Sequence, residues 1–289
     1  MEEIYQIKET LMIYSLEIYE ILQTFDFNII NNKKRNSSGD NVNRVDDQAD
    51  IISDQIFSSN HLIYGFISEE RENLVITNEN GKYIITIDPL DGSQNINVGF
   101  NVGAIYGIYK CTDISKIKNG RDLIAAGYTV FSTSLQFNFT SSSVDFYRYN
   151  FKTQDWIIYK KDHHIPDKGK IYSINEGISE YFYDDLKKYI SNFKGRSIRW
   201  MCCMVTDVHR NLMEGGCFLY PKNKKNENGK LRLIYELYPM AFIWEKSGGE
   251  AYIDLNKNKI LDQVFPLSNL HKKEGGVFLG PYEDSLVIN

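Results

Sequence analysis

The chain has 289 residues, 42% of them hydrophobic, 13% aromatic and 25% charged, with a formal net charge of -5. That length suits one compact unit of two subdomains with an ample core, and the acidic balance argues against a nucleic-acid surface. No apolar run approaches the roughly 20 residues that span a bilayer, and the start Met1-Glu2-Glu3 is acidic where a secretion signal is basic, so the reading is a cytoplasmic protein without a membrane partner.

Ile4, Ile7, Leu11, Leu16, Ile18 and Leu22 fall near helical spacing and predict an amphipathic helix over 3–22 whose apolar face packs on the body. Residues 31–40 are polar, end in Gly39-Asp40 and have no periodicity, which predicts a loop. Val45, Ala49, Ile52 and Ile56 mark a second helix that carries Asp46 and Asp47 in its first turn, where acids suit the helix dipole. His61 to Ile67 reads as a strand followed by the acids Glu69 and Glu70.

The run Tyr83 to Ile87 is β-branched and aromatic, bounded by Gly81 and Pro89, and predicts a buried strand that ends at Asp88. Pro89 removes a backbone donor and restricts Asp88, so the chain is expected to turn with Asp88 and Asp91 both on the turn. Two carboxylates and the Leu90 carbonyl are hard oxygen donors of the kind Mg²⁺ or Mn²⁺ takes. Gly92 and Ser93 then offer backbone N–H groups that can cradle a phosphate.

Val102–Tyr109, Leu123–Phe131 and the stretch to about Tyr159 predict an antiparallel meander. His163-His164-Ile165-Pro166-Asp167 breaks the pattern and sets a subdomain boundary between 1–163, which carries the metal-type turn, and 164–289; the two histidines read as linker. Beyond it come a strand at 170–174, a helix at about 179–191, a strand at 197–200 and a helix ending at Met213 before Gly215-Gly216. A strand at 217–220, a basic loop at 222–229 and a strand at 232–235 that delivers Glu236 follow, and Pro239 opens a last helix closed by Gly248-Gly249. The four cysteines, Cys111, Cys202, Cys203 and Cys217, lack zinc spacing and are expected to be reduced and packed.

The run Asp88-Pro89-Leu90-Asp91-Gly92-Ser93-Gln94-Asn95-Ile96, with Val102-Gly103 and Gly107-Ile108-Tyr109 after it, resembles the signature of class I fructose-1,6-bisphosphatases. The resemblance continues through Ile67 to Glu70, Asn175-Glu176-Gly177, Val205 to Arg210, Gly215 to Pro221 and Gly229 to Glu236, covering roughly residues 38 to 280. It implies a layered α/β sugar-phosphatase fold, a mostly antiparallel N-terminal sheet with helices followed by a mixed-sheet α/β subdomain. The implied activity is hydrolysis of the 1-phosphate of fructose 1,6-bisphosphate in gluconeogenesis. The implied cofactor is Mg²⁺, with Mn²⁺ or Zn²⁺ as substitutes, at roughly two to three ions per subunit. Glu69, Asp88, Leu90, Asp91 and Glu236 match the metal positions, and Asp46 and Glu70 match residues that position or activate the attacking water.

Asp91, Gly92, Ser93, Asn175, Arg199, Met204, Tyr220 and Lys230 match the substrate contacts, Arg199 reaching over from a neighbouring subunit of a homodimer or homotetramer. Four positions depart from the family pattern: Gln94 for serine, Asn97 for aspartate, and Ile178 and Trp200 for two tyrosines of the distal phosphate site. Losing two phenolic hydroxyls removes about 1 to 3 kcal/mol of phosphate binding. A sedoheptulose bisphosphatase, an inositol phosphatase or a catalytically faded regulatory paralogue are the alternative readings. Lys82 and Tyr83 match family contacts to the inhibitor AMP, but no Gly-Thr-Gly turn precedes them and Lys110 stands for an arginine, so AMP control is expected to be weak or absent.

Overall fold

Side chains alternate across the strand Tyr83–Asp91, and that alternation sets the layering. Ile85 and Ile87 join Ala104, Tyr106 and Ile108 on one face, while Ile84 joins Ile105 and Tyr128 on the other. The computed structural model describes residues 2–24, 34–35, 41–42, 44–286 and 288. Against the first face lie α1 (Glu2–Thr24) and α2 (Arg44–Ser59), α1 burying Ile7, Leu11, Tyr14 and Ile18 at helical spacing. Of the loop expected at 31–40, Lys34–Arg35 form a short strand antiparallel to Asn41–Val42, and the rest lies outside the described residues.

The first sheet has eight strands in the order Asp155–Lys160, Val144–Asn150, Gln136–Thr140, Leu123–Phe131, Val102–Tyr109, Tyr83–Asp91, Ile63–Ser68 and Val75–Ile76. Every pair is antiparallel except Ile63–Ser68 with Tyr83–Asp91, which run parallel. That parallel pair brings two strand C-termini to one edge, and its register, Ser68 opposite Ile87, sets Glu69 beside Asp88.

The second sheet is mixed, with six strands in the order Ser197–Ile198, Ile171–Ser173, Gly216–Tyr220, Val277–Pro281, Gly249–Ile253 and Asn258–Lys259. Between the two sheets sit α4 (Met204–Glu214) and α5 (Tyr238–Lys246), after α3 (Asp184–Ile190) in the chain, which covers the far face of the second sheet. Val205, Val208, Leu212, Met240 and Trp244 form one core with residues of both sheets, so the layers run helix, sheet, helix, sheet, helix.

Several expected elements differ. The strand predicted to stop at Asp88 continues to Asp91, with its register to Val102–Tyr109 broken between Asp88 and Asp91; the turn is a bulge inside the strand. The helix expected at about 179–191 begins at Asp184, preceded by a 3₁₀ stretch Glu176–Tyr181 that Asn175 caps by accepting the Gly177 N–H. The strand at 197–200 is only Ser197–Ile198. Glu236 is not at a strand end: the strand is Leu231–Arg232, and a π-helical turn, Leu233–Leu237, carries Glu236 and runs into α5. His163 is more than linker, since it is buried and its Nε2 lies 2.8 Å from the Leu212 carbonyl oxygen.

Candidate active site

The edge where the two parallel strands end opens into a cleft of about 400 Å³, ordinary for a small-molecule site. Its walls include Asp46, Glu69, Glu70, Asp88, Leu90, Asp91, Gly92, Ser93, Asn175, Met204, Tyr220, Lys230 and Glu236, every residue expected to act on metal, water or substrate except Arg199. Arg199 is exposed, outside this cleft, with its guanidinium donating to the Ile198 carbonyl at 2.9 Å.

Each acid is held by a local reason. The Glu69 N–H donates to the Ile87 carbonyl at 3.1 Å, and the Glu70 N–H to Ser68 Oγ at 3.2 Å. Ser68 donates in turn to Asp50 of α2 at 2.8 Å, and Asp50 is held by Arg71 at 2.6 Å, so α2 fixes the glutamate turn. Asp91 Oδ2 accepts the Val205 N–H at 2.6 Å and Cys203 Sγ at 3.1 Å, placing the carboxylate on the first turn of α4, where the helix dipole favours it. Gly92 makes this possible: its φ is 75°, and a Cβ there would stand 2.6 Å from the Cys203 Cβ. Glu236 is buried and accepts the Arg232 N–H across the π-helical turn.

The electrostatics are those of crowded acids. Burial first, and then the charges of Glu69, Asp91 and Glu236, push the Asp88 carboxyl well above its usual range. Burial and the Glu69 charge do the same to Glu236. Asp91 is raised by burial and pulled back by its hydrogen bonds from Val205 and Cys203. Among the described residues no three His, Cys, Asp or Glu side chains close around one point as they stand. Instead the Arg232 guanidinium lies 3.4 Å from Glu69 and supplies part of the countercharge.

Sequence reasoning missed Arg232, Cys202 and Cys203 as cleft residues. The signal for Arg232 was available: it lies two residues after Lys230 and four before Glu236, within the family-like run. The cysteines are free, as expected, but Cys203 bonds Asp91 and so does more than pack.

The rings of Trp200, Phe218 and Tyr220 cluster in one wall of the cleft, Trp200 and Phe218 at 6.2 Å and 14°, Phe218 and Tyr220 at 6.4 Å and 26°, Trp200 and Tyr220 at 6.1 Å and 35°. A smaller cavity of about 190 Å³ adjoins there, sharing Asn175, Trp200, Tyr220 and Lys230 and adding Ile178 and Lys225. Both departures from the family's distal tyrosines therefore line this cavity. The Trp200 indole N–H is buried without an acceptor among the described residues.

The Fructose-1-6-bisphosphatase family profiles match in sequence, the N-terminal domain over residues 27–161 and the C-terminal domain over 165–286. The cytosolic fructose-1,6-bisphosphatases of Spinacia oleracea and Arabidopsis thaliana are each 36% identical over 255 residues, covering 81% of this chain and 73% of theirs. Among solved structures, Leishmania major fructose-1,6-bisphosphatase in holo form superposes with a TM-score of 0.90 at 29% identity, covering 98% of this chain and 92% of that one. Its apo form gives 0.86 at 28% identity, covering 98% and 91%. The layered α/β fold is thus that of a phosphatase, a hydrolase of phosphate esters. The chain belongs to the fructose-1,6-bisphosphatase family. Among the described residues no helix is long and apolar enough to cross a membrane.

Proposed function

We propose that this chain hydrolyses the 1-phosphate of fructose 1,6-bisphosphate, with Mg²⁺, to fructose 6-phosphate and inorganic phosphate, as a cytosolic gluconeogenic enzyme working as a homodimer or homotetramer. The observation that carries the reading is one cleft that gathers six acids, among them Glu69, Asp88, Asp91 and Glu236, and that adjoins a second cavity through Asn175, Tyr220 and Lys230. That arrangement suits a substrate with a phosphate at each end. It also suits a division of labour at 163/164, the N-terminal part supplying every ligand of the reacting phosphate's cations except Glu236 and the C-terminal part the distal contacts.

The donor set fits the cation. Glu69, Asp88, Asp91 and Glu236, with the Leu90 carbonyl, are hard oxygens only, and burial has raised three of these carboxyls, a state that cations relieve. Bound there, Mg²⁺ would draw charge from the phosphoryl oxygens and the leaving alkoxide and acidify a water. Asp46 and Glu70 face the same cleft and would orient the attacking water and take its proton on a carboxylate oxygen. The N–H groups of Gly92 and Ser93 would hold phosphoryl oxygens, and Met204 would pack against the sugar. No covalent bond to the protein is required.

The reading is tested by incubating the enzyme with fructose 1,6-bisphosphate and Mg²⁺, with and without a chelator, and identifying the sugar product. Fructose 6-phosphate that disappears with the chelator supports it, whereas fructose 1-phosphate would mean that the cleft binds the substrate reversed. Ile178 and Trp200 in the distal cavity favour a second reading, a related sugar bisphosphatase of altered chain length.

Arg199→Ala is expected to raise KM more than it lowers kcat, because the side chain lies outside its own cleft and would meet the distal phosphate of a neighbour. Steady-state kinetics on the dissolved oligomer decide this, and unchanged constants would leave Arg199 a solvated side chain.

AMP control is expected to be absent, for a reason the sequence did not reveal. Glu3 of α1 accepts from Lys82 Nζ at 2.5 Å and from the Tyr83 hydroxyl at 2.7 Å, so both residues that match the family's nucleotide contacts are already engaged by a carboxylate. These bonds, Lys82 first, hold the Glu3 carboxyl down at about 2, so it stays charged across the physiological range. Titrating AMP against phosphate release at fixed Mg²⁺ checks the point; half-inhibition at low micromolar AMP would refute it.

A further inference from the structure

We propose that Tyr14, on the outer helix α1, is a positioning residue for the Asp88–Asp91 turn, fixing the peptide between Pro89 and Leu90 so that the flanking carboxylates stand ready for cations. The proposal rests on the metal reading of that turn. It begins from a gap in the backbone pairing. The register of Tyr83–Asp91 to its neighbour breaks between Asp88 and Asp91, and Pro89 has no N–H, so this stretch lies outside the regular ladder. Its buried polar groups must find partners elsewhere.

They find one each. The Tyr14 hydroxyl, 75 residues away in the chain, donates to the Pro89 carbonyl at 3.1 Å, and the Leu90 N–H donates to Asp88 Oδ1 at 3.1 Å. One peptide plane is therefore gripped at both ends, by α1 on one side and by a proposed cation ligand on the other. Because the next carbonyl along is that of Leu90, fixing this plane also limits where that oxygen points.

The grip is rigid. Tyr14 is fully buried, stacked on Phe57 of α2 at 6.0 Å and edge-on to Tyr106 at 5.9 Å. Burial raises its phenol pKa well above the ordinary value, so the hydroxyl remains a donor at any working pH. A phenylalanine would fill the same space. The hydroxyl is thus the part that concerns the turn, and the ring the part that concerns the core.

The neighbouring buried hydroxyl of Tyr106 provides the control. It lies 2.9 Å from Thr129 Oγ1 and 3.4 Å from Ser15 Oγ, and neither bond reaches the Asp88–Asp91 turn. Mn²⁺ alone, without substrate, is titrated calorimetrically into the wild-type protein, Tyr14→Phe, Tyr106→Phe and Asp88→Asn, and the Mg²⁺ dependence of turnover is measured for the two tyrosine variants. The expected result is Mn²⁺ affinity about ten- to a hundredfold weaker in Tyr14→Phe, a matching rise in the Mg²⁺ needed for half-maximal rate and an unchanged KM at saturating Mg²⁺, with Tyr106→Phe like the wild type. Unaltered Mn²⁺ affinity in Tyr14→Phe, or an equal loss in Tyr106→Phe, would overturn the proposal while a loss in Asp88→Asn left the metal reading standing. If Asp88→Asn binds Mn²⁺ as the wild type does, the metal reading fails and the role of Tyr14 falls with it.

Discussion

Asp91→Asn is expected to lower kcat on the order of 10³-fold while the protein stays folded, and Glu69→Gln should do the same. Cation-borne stabilisation of phosphoryl transfer amounts to several kcal/mol, and each factor of ten costs about 1.4 kcal/mol. Folding should survive because the carboxyl is already penalised in the native state: burial raises Asp91, and a neutral amide of the same shape escapes that penalty. Its oxygen can still accept the Val205 N–H at the start of α4. Turnover and thermal unfolding measured together at saturating Mg²⁺ separate the two effects, and near-normal turnover would remove Asp91 and Glu69 from the site.

The second large effect concerns the middle layer. Trp244 of α5 is fully buried in the core shared by both sheets, and its Nε1 donates to the Gly280 carbonyl at 2.9 Å. Gly249 is fitted against it, since a Cβ there would stand 2.4 Å from the indole ring. Trp244→Ala should therefore destabilise the fold by about 3 to 5 kcal/mol, a large part of the roughly 5 to 15 kcal/mol that holds a typical domain. Urea unfolding provides the number, and a loss below about 1 kcal/mol would show that the layer between the sheets closes over the gap. Because α5 continues directly from the π-helical turn bearing Glu236, the same substitution is expected to loosen that acid.

Which parts of this arrangement can be read from sequence follows from how locally each is determined. The helices α1 and α2 and the strands Val102–Tyr109 and Leu123–Phe131 are written in periodicity, which depends on one face being buried, and they appear where that pattern puts them. Glu236 shows the limit. Arg232 to Tyr235 is apolar and β-branched enough to read as a strand, yet tertiary packing winds Leu233–Leu237 into a π-helical turn. Pro89 misleads in the other direction: a proline after a strand predicts a stop, and here a bulge absorbs it and the Tyr14 hydroxyl donates to its carbonyl.

The cleft was legible as far as motif spacing carries acids and lysines. Cys203 was not, because its role depends on Asp91, 112 positions away in the chain, and although Arg232 sits inside the family-like run, its pairing with Glu69, 163 positions away, is made only in the fold. The contact of Glu3 with Lys82 and Tyr83 is of the same kind: nothing about an acidic first turn of a helix says which donors it will meet.

The most direct test of the account is phosphate release at saturating Mg²⁺ from fructose 1,6-bisphosphate, sedoheptulose 1,7-bisphosphate and inositol 1-phosphate, compared by kcat/KM. A cleft that gathers acids and adjoins a second cavity through Asn175, Tyr220 and Lys230 predicts the highest value for fructose 1,6-bisphosphate and the lowest for inositol 1-phosphate, which has no second phosphate to place there. Hydrolysis of inositol 1-phosphate as fast as or faster than the bisphosphates, or no release from fructose 1,6-bisphosphate, would contradict it.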